Sequence, residues 1–227
     1  MDVTKVKKLL EFDTPTVANG LGLLGVRDDS YGYTGPDIKH LMPEMGRRVG
    51  VAVTARMDTT SPGVEKWESL FDGWLRMMAD AGKGDGGESL PVFAVIESVG
   101  PRPRYTVTIG DGMATRMRMA GAEGYLTNGC IRDLEGVREV PLACWAAGLS
   151  PMHGQLRWLD IGSTVVIDGM TVRPGDILHA DVNGVVTIPA EAADQVYDRA
   201  SEVAQREAEL FAKLRAPDMT LDKLLSS

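Results

Sequence analysis

The spacing of hydrophobic and polar residues divides the N-terminal half of the chain into helices and strands. Apolar residues recur with a helical period over 3–12, 14–24 and 64–81, and Asp13 before Thr-Pro is a typical cap for the second helix. The run 47–57 alternates apolar and polar residues and is rich in valine, which predicts a strand. The third helix is expected to bury one aromatic face, formed by Trp67, Phe71 and Trp74.

The middle of the chain has the pattern of a βαβ unit. A strand over 105–109 is followed by the turn Gly110-Asp111-Gly112, a helix over 113–120 and a second strand over 125–127. We expect the two strands to pair in parallel, with a right-handed crossover. The glycine-rich stretch 82–89 is expected to be a loop, because strand-like residues resume directly after it.

The C-terminal part of the chain alternates short apolar runs with turn sequences. From residue 163, four strand-like runs are separated by Asp168-Gly169, the turn 173–176 and Asn183-Gly184, a spacing that predicts an antiparallel meander. A long terminal helix is expected over 190–214. The length and the absence of internal repeats favour a single α/β domain over 1–227.

Composition restricts the class of protein. The 227 residues carry 24 basic and 32 acidic side chains, and the resulting net charge of −8 argues against nucleic acid as the main partner. No apolar run approaches the roughly 18 residues of a membrane span, and the first residues lack the apolar core of a signal peptide. Two cysteines, Cys130 and Cys144, are too few for a disulfide framework. We therefore expect a cytoplasmic protein with no membrane partner.

Residues 20–25 match the dinucleotide-binding pattern G-x-G-x-x-G in an unsuitable context. That site requires a strand before the glycines and a helix after them within a βαβ unit. Here a capped helix precedes the glycines and a loop-like stretch follows them. We therefore interpret the pattern as a glycine-rich helix end.

The strongest candidate site joins two segments of the middle region. Asp111 follows the first strand of the βαβ unit, and Arg132-Asp133 follow the second, so the carboxyl ends of parallel strands are expected to bring them to one rim. Two carboxylates suit Mg²⁺, and an arginine offers a fork of donors to a carboxylate or enolate. Gly110 and Gly112 allow close backbone approach, and the amides of Gly112 and Met113 can hold an anion.

Two structural interpretations compete equally with this site. Asp111 is also a suitable helix N-cap, and Arg132-Asp133 also suits a solvated surface pair. The three histidines are scattered and form no zinc motif, so none is obviously placed to act as a base. Cys130 is expected to be a packed residue rather than a nucleophile.

The segments 110–114 (GDGMA) and 128–133 (NGCIRD) resemble those of the class II pyruvate aldolases. These enzymes cleave 4-hydroxy-4-methyl-2-oxoglutarate and 4-carboxy-4-hydroxy-2-oxoadipate, and they share a fold with the regulator of ribonuclease E activity. Their pattern of Asp, twenty residues and Arg-Asp is met by Asp111 and Arg132-Asp133. The similarity extends to 14–24, 47–55 and 174–189.

The resemblance implies an α/β/β/α sandwich of the swivelling β/β/α type, assembled as a trimer or hexamer. It further implies that Asp133 binds Mg²⁺ or Mn²⁺ directly, that Asp111 holds a metal-bound water, and that Arg132 grips the keto oxygen of an oxo-acid substrate. The amides of the loop 110–113 would hold the carboxylate of the pyruvyl group.

Glu207 interrupts the apolar stripe of the terminal helix, where Val196, Ala200, Val203, Leu210 and Leu214 recur at spacings of three and four. The resemblance implies that a glutamate from a neighbouring protomer's terminal helix lies near the metal-bound water. Glu207 is the candidate and Glu209 the alternative, and an ordinary surface salt bridge is an equally suitable interpretation.

The implied activity is aldol cleavage of a 4-hydroxy-2-oxo acid to release pyruvate, with oxaloacetate decarboxylation through the same enolate. A non-catalytic regulator that binds a ribonuclease is one alternative, although Asp133 favours the metal enzyme. A related metal-dependent lyase or hydratase on another oxo acid is the second, because 82–108 departs from the family's usual short link. Arg102 and Arg104, in that segment, are candidates for a distal substrate carboxylate or ordinary solvated charges.

Overall fold

The computed structural model describes residues 2–63, 69–83 and 88–226. Trp67 and part of the predicted loop 82–89 lie outside the described residues. Seven α-helices are described: α1 (Val3–Lys8), α2 (Thr14–Leu24), α3 (Phe71–Ala81), α4 (Asp111–Met119), α5 (Leu134–Glu139), α6 (Ala193–Leu214) and α7 (Leu221–Ser226). None of them combines the length and the hydrophobicity that crossing a bilayer requires.

The predicted boundaries of the second helix are confirmed by its caps, whereas the first helix, predicted over 3–12, ends as an α-helix at Lys8 and continues as a 3₁₀ turn over Leu9–Glu11. The Asp13 carboxylate accepts a hydrogen bond of 2.9 Å from the Thr16 amide, which starts α2. Gly25 ends the helix in the left-handed conformation, with φ of +62°. A Cβ atom at Gly20 would lie 2.8 Å from the Ala200 backbone nitrogen, so this glycine allows α2 to pack closely on α6. The glycine pattern over 20–25 therefore serves helix packing and termination.

Thirteen strands are described: β1 (Lys39–His40), β2 (Arg48–Asp58), β3 (Val92–Ser98), β4 (Val107–Ile109), β5 (Ala122–Thr127), β6 (Cys130–Ile131), β7 (Ala143–Ala146), β8 (Gly148–Leu149), β9 (Arg157–Ile161), β10 (Val165–Ile167), β11 (Met170–Val172), β12 (Ile177–Asp181) and β13 (Gly184–Ile188). The main sheet has the order β1-β7-β5-β3-β2-β12-β13, and β9 also pairs with β2. Its centre, β2-β3-β5-β7, is parallel.

Both faces of the main sheet are buried. Alternate residues of β3 point to opposite sides: Val92, Ala94 and Ile96 join a core with the helices, whereas Phe93 and Val95 join a second core with the hairpin β10–β11. The chain therefore has the expected mixed α/β architecture, with a long terminal helix preceded by a short 3₁₀ turn at Ala190–Ala192. The finer α/β/β/α and swivelling assignments stay predictions.

Two predicted strand pairings are wrong. The strand β5 belongs to the main sheet, between β3 and β7, and does not pair with β4. The parallel partner of β4 is instead the two-residue strand β6, which in turn pairs with β8 in a separate three-stranded sheet. The predicted meander is likewise split into two hairpins, because β12 pairs with β2 rather than with β11.

Candidate active site

The small parallel sheet brings the two predicted site segments together. In the pair β4–β6, Val107 is opposite Cys130 and Ile109 is opposite Ile131, and the Arg132 amide continues the ladder with a 3.1 Å hydrogen bond to the Ile109 carbonyl oxygen. Because these strands run in parallel, both chain segments leave the sheet at the same end. The expected convergence therefore occurs, although the second strand is β6 and not the predicted 125–127.

Two glycines allow the segments to interlock. A Cβ atom at Gly110 would lie 2.6 Å from Asp133 Oδ2, and a Cβ atom at Gly136 would lie 2.8 Å from Asp111 Oδ2 and 2.9 Å from Asp111 Cβ. Each carboxylate thus occupies space that a side chain on the other segment would fill. Gly136 was not among the predicted site residues, and its place in the short helix α5 gave no signal in the sequence.

Asp133 has an uncommon backbone conformation beside Arg132. Its φ of +55° and ψ of +43° lie in the left-handed region, which aspartate tolerates better than most residues. Asp133 Oδ2 lies 3.1 Å from Arg132 Nε. The predicted alternative of an ion pair at this position is therefore present, with about a third of each side chain or more exposed (33% and 40%).

The Asp111 carboxylate lies at the start of α4. Gly110 is the N-cap residue and Asp111 the first helical residue, so the predicted N-cap position is off by one. Asp111 Oδ1 nevertheless accepts a 2.7 Å hydrogen bond from the Gly112 amide. The Met113 amide is in the first turn as well and lacks an intrahelical acceptor, because the helical ladder starts with Ala114 donating to the Gly110 carbonyl. Of the two predicted anion-binding amides, that of Met113 is the uncommitted one within the described residues.

A cavity of about 370 Å³ opens beside this cluster. Its wall includes the predicted residues Gly110, Asp111, Gly112, Met113 and Arg132. It also includes Arg116, His153 and Leu156, which were not assigned to the site from the sequence. Asp133 contacts Arg132 but is not itself among the residues that line the cavity.

His153 lies in the loop after β8, the third strand of the small sheet, and this position brings it to the cavity. The strand β8 runs parallel to β6, so the loop after it leaves at the same edge. His153 Nδ1 lies 2.7 Å from the Gly154 carbonyl oxygen. A carbonyl oxygen only accepts, so Nδ1 carries the proton in the neutral ring and Nε2 is the acceptor. The two residues of β8 were too few to be recognised as a strand from the sequence.

The donor set fits Mg²⁺ or Mn²⁺ better than zinc. Within the described ranges, no three His, Cys, Asp or Glu side chains group as a metal cage. Asp133 Oδ1 and Asp111 Oδ2 have no hydrogen-bond donor in the described part of the chain. Mg²⁺ commonly binds through one or two carboxylates and keeps several waters, so such a pair of uncommitted oxygens is suited to it.

The terminal-helix glutamates lie on the helical layer of their own chain. Glu207 Oε1 accepts a weak 3.5 Å hydrogen bond from Asn19 Nδ2 on α2, and Glu209 Oε1 accepts one of 3.1 Å from Gln205. The apolar stripe is buried through Val203, whereas Leu210 and Leu214 beyond Glu207 are 50% and 36% exposed. Glu207 therefore marks the point where α6 leaves its own core.

The remaining candidates have structural partners. Arg104 forms an ion pair with Asp37, and Arg102 lies 5.5 Å from the centre of the Tyr105 ring. Neither arginine lines the cavity. The Cys130 thiol donates to the Arg104 carbonyl oxygen over 3.1 Å, and burial raises its pKa. Cys130 therefore packs as expected.

Proteins of known sequence resemble parts of the chain. An uncharacterized protein of Methanocaldococcus jannaschii is 30% identical over 130 residues, which cover 56% of this chain and 62% of that protein. A Hahella chejuensis protein named "Putative 4-hydroxy-4-methyl-2-oxoglutarate aldolase" is 35% identical over 82 residues, or 36% of this chain and 50% of that protein. The matched segments thus span only half to about three fifths of these relatives.

Solved structures share the fold over nearly the whole chain. An uncharacterized Pseudomonas syringae protein superposes with a TM-score of 0.73 at 22% identity, covering 98% of this chain and 93% of that one. Streptomyces coelicolor RraAS2, described as an unusual member of the RNase ES inhibitor RraA family, has a TM-score of 0.70 at 24% identity and covers 95% and 98%. The model of the RraA-like family, described as Aldolase/RraA, matches residues 14–187. The chain therefore belongs to the RraA-like family.

Proposed function

We propose that this protein is a divalent-metal-dependent aldolase that cleaves a 4-hydroxy-2-oxo acid and releases pyruvate. The observation that carries the proposal is the convergence of Asp111 with Arg132-Asp133 at one end of the parallel pair β4–β6, beside a cavity. The names of relatives such as the Hahella chejuensis protein support the same reaction class.

Each residue of the site has a role in the proposed reaction. Asp133 would hold the metal ion directly and Asp111 would hold it through water, since each keeps an oxygen without a hydrogen-bond donor among the described residues. When bound, Mg²⁺ or Mn²⁺ supplies Lewis-acid polarisation of the oxo-acid oxygens. Arg132 Nε is committed to Asp133, and its terminal nitrogens have no acceptor within the described residues, so they are available to the keto oxygen. The Met113 amide would bind the substrate carboxylate.

The bond-breaking step requires a base for the C4 hydroxyl. A water held by Asp111 Oδ2 would accept that proton, while the electrons of the C3–C4 bond pass to the oxo acid and form the pyruvate enolate. Arg132 would stabilise the negative charge that develops on the keto oxygen. Protonation of the enolate then gives pyruvate, and the C4 fragment leaves as a carbonyl compound. Oxaloacetate decarboxylation yields the same enolate and is expected as a side activity.

The test measures pyruvate release from 4-hydroxy-4-methyl-2-oxoglutarate and from oxaloacetate. Activity should disappear with EDTA, return with Mg²⁺, and be lost in Asp133→Asn. Asp80→Asn is the matched control, because Asp80 pairs with Lys83 on the surface. Turnover that resists the chelator would contradict the metal mechanism. An absence of turnover on a panel of 4-hydroxy-2-oxo acids would contradict catalysis and favour a binding role.

We further propose a trimer or hexamer in which Glu207 reaches the site of a neighbouring protomer. The exposed apolar residues Leu210, Phe211 and Leu214 just beyond Glu207 support this, because a surface of this kind suits burial against a second copy. Mixing inactive Glu207→Gln and Asp133→Asn subunits should restore part of the activity, since some sites would then combine two intact segments. A monomer in sedimentation, or no recovery in mixed oligomers, would contradict shared sites.

A further inference from the structure

A second cavity of about 330 Å³ adjoins the first and has a different chemical character. The two cavities share Gly112, Met113, Arg116 and Leu156, so they adjoin each other at the start of α4. The second cavity adds the rings of Phe71 and Trp158. We call it the aromatic chamber.

The rings of Phe71 and Trp158 are fixed by packing against the core. The Phe71 and Trp158 rings stack with centroids 5.8 Å apart and planes inclined by 27°. Trp74, which is fully buried, packs on Trp158 with a centroid distance of 5.5 Å. Because Phe71 and Trp158 are only 5% and 4% exposed, their positions are set by the core and need no ligand to order them.

The cation beside the chamber already has partners. The Arg116 guanidinium lies 4.6 Å from the centre of the Phe71 ring and forms a 2.5 Å ion pair with Asp72 on α3. An arginine that is stacked and neutralised in this way is less available to a second substrate carboxylate. The described lining of the chamber contains no other charged residue.

We propose that the aromatic chamber binds an aryl or similarly bulky apolar group at C4 of the 4-hydroxy-2-oxo acid. This inference rests on the proposed function, because the chamber adjoins the cavity in which Arg132 and the Met113 amide would hold the oxo-acid end. The substrate would then carry one carboxylate, at C1, and its distal end would contact the exposed edges of the Phe71 and Trp158 rings together with Leu156 and Met113.

The experiment compares two unreactive analogues that lack the C4 hydroxyl. Binding of 2-oxo-4-phenylbutanoate and of 2-oxoglutarate is measured by calorimetry with the whole protein in Mg²⁺. The phenyl analogue is expected to bind about tenfold more tightly or better, since it buries apolar surface where 2-oxoglutarate must desolvate a second carboxylate. Pyruvate release from 4-hydroxy-2-oxo-4-phenylbutanoate should likewise exceed that from 4-hydroxy-4-methyl-2-oxoglutarate in kcat/KM.

A pair of leucine variants assigns the preference to the chamber. Leu156 lines both cavities, whereas Leu159 on β9 is 42% exposed and lines neither. Leu156→Gln should reduce the phenyl-to-carboxylate affinity ratio by about tenfold, because an amide replaces apolar contact surface. Leu159→Gln, a chemically identical change nearby, should leave the ratio unchanged.

The outcomes separate this inference from the proposed function. Tighter binding of 2-oxoglutarate, with pyruvate released from the dicarboxylic substrate, overturns the chamber assignment and leaves the aldolase proposal intact. A phenyl preference that Leu156→Gln and Leu159→Gln affect equally also overturns it. A phenyl preference lost only in Leu156→Gln, without pyruvate release from either substrate, supports the chamber and overturns the aldolase proposal. Failure of both analogues to bind overturns both.

Discussion

Two clusters of polar side chains in this protein differ in how completely they are partnered. In the first, the buried His179 contacts Thr14 Oγ1 through Nδ1 at 3.0 Å and the Leu9 carbonyl oxygen through Nε2 at 3.1 Å. Asp181 beside it accepts from the amides of Thr14 and Asn183 over 2.9 Å and 2.7 Å. In the second, Asp111, Arg132 and Asp133 are partly exposed and keep oxygens and nitrogens without protein partners in the described residues.

The difference separates a structural role from a chemical one. The His179 cluster joins the N-terminal helices to β12, and both ring nitrogens of His179 and both carboxylate oxygens of Asp181 have hydrogen-bond partners among the described residues. The second cluster, formed by Asp111, Arg132 and Asp133 and called the rim cluster below, adjoins a cavity and has side-chain atoms that a ligand could still contact. Substitutions should therefore lower stability in the first cluster and activity in the second.

The largest effect is expected from Arg132→Met. Loss of a preorganised donor to a developing oxyanion should reduce kcat for pyruvate release by about 10²–10³. Because the Arg132 side chain is a third exposed, the midpoint of urea unfolding should barely change. Arg138→Met, on the neighbouring helix α5, is the control and should keep full activity. A large loss of stability in Arg132→Met would place this arginine with the structural cluster.

The second-largest effect is expected from His179, whose protonation should lower the free energy of unfolding in acid. Burial lowers the pKa of His179 to about 4, below its ordinary value of 6.5. Between these values the unfolded chain binds a proton that the folded chain does not, so stability is complete above about pH 6.5 and falls towards pH 4. The full difference corresponds to about 3 kcal/mol. Urea unfolding at pH 7 and pH 4.5 should show most of this difference.

His179→Gln removes that titrating group and should flatten the dependence of the unfolding free energy on pH. Part of the slope should remain, because burial also lowers the pKa of His40, stacked on Trp145, to about 4. An unchanged slope in His179→Gln would show that its protonation is not linked to folding.

A smaller effect is expected at Gly136, which tests whether the rim depends on interlocking. Alanine would place Cβ within 3 Å of Asp111 Cβ and Oδ2, so the carboxylate must shift. We expect activity to fall about tenfold, since a displacement of about 1 Å in a positioning group costs up to 10²-fold. Stability should hold, because alanine favours a helix over glycine by about 1 kcal/mol. Glu139→Ala on the exposed side of α5 is the control, and equal activity in both variants would contradict the interlocking.

The smallest effect is expected at Cys130, which precedes Arg132 by two residues in the sequence. Serine keeps a donor to the Arg104 carbonyl oxygen in place of the thiol. Cys130→Ser should therefore retain pyruvate release within about twofold, because the thiol packs and takes no part in catalysis. Loss of turnover with an intact unfolding midpoint would instead assign a chemical role to the cysteine.

Local sequence signals decide which elements of this fold could be predicted. The helix α2 was predictable from its cap and α6 from its long apolar period, and the strand β2 was marked by its valines. The pairing of β4 with β6 was not, because two residues carry no periodicity and the adjacent β5 has a stronger strand pattern. Asp111 and Arg132-Asp133 were found nonetheless, since the rule for parallel strand ends holds for β6 as it would for β5.

Residues that reach the site only through tertiary structure could not be predicted. His153 follows the two-residue strand β8, and Phe71 and Trp158 come from elements distant in sequence. The aromatic period predicted the burial of Phe71 and Trp74 correctly, but it gave no indication that the Phe71 ring borders a cavity. Arg116 occupies a solvent-facing position of α4, where its contact with Phe71 depends on how α3 and α4 pack.

The proposed aldolase requires Asp111 and Asp133 to hold one divalent cation at the shared end of β4 and β6. Titration of the protein with Mn²⁺, followed by the loss of the free-ion signal in electron paramagnetic resonance, is the decisive test of this requirement. We predict one bound ion per chain, displaced by Mg²⁺, with affinity at least about tenfold weaker in Asp133→Asn and unchanged in Asp80→Asn. Equal Mn²⁺ affinity in Asp133→Asn and the wild type would contradict the claim.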